Sequence, residues 1–147
     1  MRLSIIFSLV AGLTFSASSS AQLICIDLII SEYIEGTGNN KGLEFFNPTS
    51  ESIDLSAYSL QRWSNGETGM TDETQLFGTL PPLTTWVLVN GQTEDVDLGG
   101  GAISPACDPI MQALADQLDN PYPAPTFMNG DDALVLVKDG STVVDIF

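Results

Sequence analysis

The side chains of this chain that could do chemistry are carboxylates and two cysteines. In 147 residues there are 19 Asp and Glu, four Lys and Arg, and no histidine. Without histidine, no Ser-His-Asp or Cys-His relay and no His-ligated zinc or iron site can be built within one chain. Carboxylate pairs remain. Glu32 and Glu44 would serve as acid and base in sugar hydrolysis only if they shared a cleft. Strands alternate faces and nothing in the sequence brings the two together, so a surface role beside Lys41 or Arg62 is expected. Asp131 and Asp132 follow Gly130 at a turn. Adjacent carboxylates can offer oxygen ligands to calcium, but a carboxylate accepting backbone N–H bonds in the turn is the preferred reading. Glu94, Asp95 and Asp97 sit beside Gly99-Gly100-Gly101 and lack the spacing of a calcium loop, so they read as a solvated loop. Neither a catalytic residue nor a cofactor or metal site is expected.

Cys25 and Cys107 are an even pair. In an oxidising compartment they are expected to form a disulfide, closing a long loop; two separate buried thiols are the alternative. The compartment is read from the first residues. Arg2 is a positive start, residues 3–15 are mostly apolar, and Ser19-Ser20-Ala21 fits small-x-small cleavage. Residues 1–21 read as a signal peptide, too short to span a bilayer, and residues 22–147 as one exported domain. Cleavage leaves Lys41, Arg62 and Lys138 against all 19 carboxylates, a net charge of −16. Such a chain repels phosphate backbones, so direct nucleic-acid binding is not expected, nor is membrane attachment after cleavage.

The elements that would position these groups are short strands between turns. Alternation over residues 28–35 puts Leu28, Ile30, Glu32 and Ile34 on one face. Further strands are expected at 43–46, 53–55, 58–63, 76–80, 85–89, 133–137 and 142–147. The punctuation is Gly36 to Gly42, Asn47-Pro48, Ser64-Asn65-Gly66, Pro81-Pro82, Asn90-Gly91 and Asp139-Gly140. Residues 93–104 read as a loop. Asp108 and Pro109 cap a helix whose apolar stripe Ile110, Ala113, Leu114 and Leu118 runs to Asn120, and Pro121 to Phe127 reads as extended. Strands at this spacing predict an all-β sandwich with one short helix in an inserted loop. Most aromatics belong to its core. Trp63, at a strand end, is the best candidate for an exposed recognition aromatic, although burial in the core is the preferred reading for it too.

Four stretches resemble the lamin tail domain, an immunoglobulin-like β-sandwich. They are Ile30-Ser31-Glu32 with Glu44-Phe45-Phe46-Asn47-Pro48, then Asp54-Leu55-Ser56-Ala57-Tyr58, then Gly78-Thr79-Leu80-Pro81-Pro82 before Trp86-Val87-Leu88-Val89, then Gly130-Asp131-Asp132-Ala133-Leu134. The insertion with Cys107-Asp108-Pro109 is similar to that of secreted bacterial nucleases, which carry such a domain ahead of an endonuclease/exonuclease/phosphatase-type catalytic domain. The resemblance implies a secreted, non-catalytic module for interaction, anchoring or positioning. The alternative it implies is the leading piece of an extracellular nuclease, with the nuclease domain downstream as its partner. Because the chain stops on Phe147 within a strand, a C-terminal truncation is expected.

Two measurements test the export reading. Amino-terminal sequencing of secreted protein should begin at Gln22, and a retained Met1 would refute the signal peptide. Reduction should add two hydrogens to the mass if Cys25 and Cys107 are bridged.

Overall fold

The computed structural model describes residues 26–147. Along the chain lie β1 (Ile29–Glu35), β2 (Lys41–Phe46), β3 (Ile53–Asp54), β4 (Tyr58–Trp63), β5 (Asp72–Gln75), β6 (Thr79–Leu80), β7 (Thr85–Val89), β8 (Val96–Gly99), β9 (Ala102–Ser104), α1 (Pro109–Ala113), β10 (Gln117–Leu118), β11 (Ala133–Lys138) and β12 (Thr142–Ile146). Two four-stranded sheets, ordered β1-β2-β7-β10 and β12-β11-β4-β5, form the sandwich; β3 pairs with β6 and β8 with β9. Period-two alternation sends Leu43 and Phe45 of β2, Leu60 of β4, Leu88 of β7 and Leu134 and Leu136 of β11 into one core. Met128, wholly buried, fills the space beside them. Burial of these side chains is the main favourable contribution to the fold.

Where the sequence reading fails, a competing interaction explains it. In β1 the register shifts between Ile30 and Glu32, so Tyr33, not Glu32 or Ile34, follows Ile30 onto the core. The bulge at Ser31 spares Glu32 from burial. Of the strand expected at 76–80 only Thr79–Leu80 forms, after Gly78, whose φ is +99° and where a Cβ would come within 2.7 Å of the Trp86 ring. The residues before it, Asp72 to Gln75, form β5 although all four are polar. Pairing with β4 supplies their partners, with Glu73 accepting from Ser59 and Gln61. The expected loop at 93–104 contains the β8–β9 hairpin, turned by three glycines at positive φ.

The helix is also shorter than its pattern. Asp108 caps it, its carboxylate accepting from the Ile110 N–H at 2.7 Å, and Pro109 is at the first position. It then stops at Ala113, leaving Ile110 and Leu114 exposed. The next residues join β7 in parallel as β10, with Asp116 N–H donating to Val87 O and Asp119 N–H to Val89 O. That ladder outcompetes helical continuation of a stripe with nothing to pack on. Pro121 to Phe127 is not simply extended, since it ends in a 3-10 turn over Pro125–Phe127.

Each seam between the sheets is bridged by a side chain acting as a strand would. At one, Asp145 Oδ2 accepts the Ile30 N–H at 2.8 Å. At the other, buried Gln117 donates Nε2 to Gln75 O at 3.0 Å and accepts from Phe77 N–H at 3.3 Å. Arg62, only 7% exposed, is the other fixed point. Its Nε and Nη2 both reach Asp72 Oδ2, and its Nη1 donates to Phe127 O at 2.8 Å and to Asp132 Oδ2 at 3.4 Å.

Replacing Arg62 by Leu should lower stability by about 3–5 kcal/mol, because Asp72 and Asp132 would be left buried without a countercharge. Urea unfolding followed by tryptophan fluorescence measures it, and a loss below about 1 kcal/mol would show the cluster to be effectively solvated.

Candidate functional site

Of the carboxylates singled out above, Asp132, Asp95 and Asp97 are committed to the fold. Asp132 Oδ1 accepts the Asn65 N–H at 2.9 Å, and Oδ2 accepts the Asn129 N–H at 3.0 Å besides Arg62. That carboxylate is the clasp of a turn, as the preferred reading had it, while Asp131 beside it is exposed. In the acidic insertion, Asp95 Oδ1 accepts from Ala106 N–H and Asp97 Oδ1 from Gly99 N–H, each at 2.8 Å. The segment is thus an ordered hairpin held by its own acids. Among the described residues no three Cys, Asp or Glu side chains converge as metal ligands.

Glu32 and Glu44 correct the sequence reading. The β1–β2 register sets them directly opposite one another on the outer face of their sheet. The bulge at Ser31 makes this alignment, which strict alternation could not reveal. They line none of the three clefts described below. Glu44 is engaged by the Ser31 hydroxyl at 2.7 Å rather than by Lys41 or Arg62. Lys41 instead stands 4.0 Å from Glu35 and donates to Met128 O.

Cys107 is buried beside the Lys41 end of β2, and burial pushes its thiol up from the ordinary range, which makes it a poor nucleophile. The first strand begins opposite Phe46, at the other end of β2. Cys25, its expected partner, lies outside the described residues, as does the segment 1–21 expected to be a signal peptide.

Three surface features remain. The first is a cleft of about 400 Å³ between the β8–β9 hairpin and the proline-rich segment, lined by Val96, Leu98, Tyr122 and Phe127. The second is a trough of about 370 Å³ on the outer face of the β12-β11-β4 sheet. Trp63, Val135, Val143 and Ile146 line it, and Glu67 and Asp131 stand at its rim. Val143 and Ile146 are 55% and 63% exposed. The Trp63 Nε1 is buried with no hydrogen-bond partner among the described residues, so the part of the ring that meets solvent is carbon. Trp63 is therefore half-buried and lines a groove, combining the two readings made of it. The turn after it, with Asn65 and Gly66 at positive φ, brings Glu67 to the rim, and Asp132 pins that turn through Asn65.

The third feature is a smaller hollow of about 270 Å³ beside Tyr58 and Lys138. Lys138 pairs with Asp27 at 2.9 Å and lies over the Tyr58 ring, while the Tyr58 hydroxyl donates to Asp27. Burial raises the Asp27 carboxyl, but the hydrogen bonds from Tyr58 and Lys138 outweigh it and hold it below the ordinary range. Lys138 is raised by Tyr58 and Asp27.

Two stacked sheets, antiparallel throughout except for the β7–β10 pair, bridged at their seams and carrying one short helix in a loop, define an immunoglobulin-like β-sandwich. The Lamin Tail Domain family model matches residues 25–147, and the chain belongs to that family. No curated protein matches the sequence.

The Asp27 cluster has a pH signature. A carboxyl whose folded pKa is lowered contributes stability that is complete above its unfolded value, about 3.9, and is lost as pH falls through the folded value. Asp27→Asn should therefore cost stability at pH 7, and the difference from the parent should vanish at the lowest pH at which both still fold. Denaturant titrations at stepped pH measure this; a difference independent of pH would refute it.

Proposed function

We propose that this lamin tail domain is a secreted, non-catalytic module that anchors or positions a partner through its surface. The single observation carrying the reading is where the chemistry-bearing groups are spent. Asp132, Asp72, Asp95, Asp97 and Asp27 hold turns and strands, Cys107 is buried, and the most prominent aromatic–aliphatic surface outside the insertion is an open trough on a rigid sheet. Groups already satisfied by backbone N–H or by Arg62 are poorly placed to move protons on a substrate. Apolar carbon on a rigid scaffold is suited to binding.

A second reading rests on the acidic insertion with Cys107-Asp108-Pro109, similar to that of secreted nucleases. In it the chain is the leading part of a larger nuclease whose hydrolytic groups lie downstream. Both readings share one outcome. The full chain incubated with plasmid DNA and magnesium should leave the DNA intact, and cleavage by purified protein would refute the non-catalytic role. The genomic sequence beyond codon 147 separates the two: an open frame carrying a catalytic domain selects the second.

A further inference from the structure

We infer that the trough on the outer face of the β12-β11-β4 sheet docks an extended cationic polypeptide segment, its apolar side chains on Trp63, Val143 and Ile146 and its Lys or Arg side chains on Glu67 and Asp131. The inference deepens the module reading and rests on it.

Two independent observations name the occupant. The first is charge. Each of the three basic residues among the described residues faces a carboxylate of the same chain: Lys41 faces Glu35, Arg62 faces Asp72 and Asp132, and Lys138 faces Asp27. The remaining carboxylates therefore set the sign of the outer field. Glu67 and Asp131, both exposed, bring it to the edge of the trough. Such a field steers cations inward and repels nucleic acid, anionic lipid and a second copy of the same acidic chain. The second is shape and polarity. The trough floor is carbon, with the Trp63 nitrogen covered and Val135 only 8% exposed beneath the more open Val143 and Ile146. An extended chain presents side chains alternately. One set can meet this floor while the other reaches the acidic rim.

The test uses the full chain and three fluorescein-labelled seven-residue peptides: alternating Lys-Val, alternating Lys-Ser and alternating Glu-Val. Anisotropy should show saturable binding of Lys-Val alone, weakening as salt rises. Val143→Ser combined with Ile146→Ser should weaken it at least about tenfold. Both side chains are already solvent-exposed, so an unchanged circular dichroism melt would certify the fold. Glu67→Lys combined with Asp131→Lys should weaken it as well.

Equal binding of Lys-Ser and Lys-Val would overturn the inference, since charge alone would then suffice. So would wild-type affinity in the Val143/Ile146 variant, which would put the site elsewhere, or the absence of saturable binding. Sedimentation showing a dimer that this variant abolishes would make the occupant another copy, and would equally overturn it. All of these leave the module reading standing, whereas DNA cleavage by the full chain sinks that reading whatever the peptides do.

Discussion

Arg62 is the constraint on which the rest of the structure depends. Its guanidinium is taken out of water at the end of β4 and must find partners there, since an unpaired buried cation is costly. Asp72 answers from β5, Asp132 from the turn before β11, and the Phe127 carbonyl from the 3-10 turn. One side chain thus gathers segments far apart in sequence. Its net contribution to stability is limited by the desolvation of three charges, but its geometry is specific. Asp132 has no freedom left, because it also holds Asn65 and Asn129. The turn that carries Glu67 to the rim of the trough is fixed by the same cluster.

The sandwich also has to manage strand edges, which otherwise recruit other chains. Asp145 and Gln117 solve this by presenting a carboxylate and an amide where a neighbouring strand would present its backbone. Gln117 both donates and accepts, which an aliphatic residue could not do. On the outer face of the β1-β2-β7-β10 sheet, the opposed Glu32 and Glu44 add like charge, unfavourable within the pair but a deterrent to association. With every cation among the described residues engaged internally, the surface that remains is acidic around islands of carbon.

Those islands are the surfaces whose polarity suits binding. The cleft beside Tyr122 is built by the insertion, while the trough around Trp63 is built by the sheet itself. The floor of the trough is the hydrogen-bonded β4-β11-β12 sheet. A stiff apolar floor loses little entropy on binding and favours an extended occupant.

Much of the fold was legible in the sequence because alternation and turn chemistry are local. The strand at Tyr58–Trp63 and the strand at Thr85–Val89 have the expected limits. The Asp139-Gly140 hairpin and the Asp108-Pro109 helix start also stand as read. So did the family resemblance, whose motifs are themselves local. Tertiary structure decided the rest, for reasons that no window of sequence contains. β5 is polar and exists because β4 supplies its partners; the helix stops because β7 offers a ladder; the bulge at Ser31 reassigns faces because a carboxylate would otherwise be buried. The trough is the clearest case. Trp63 stood out in the sequence, but Val143 and Ile146, eighty residues away, reach it because antiparallel pairing through β11, with a register shift that leaves Val144 unpaired, places both on one face.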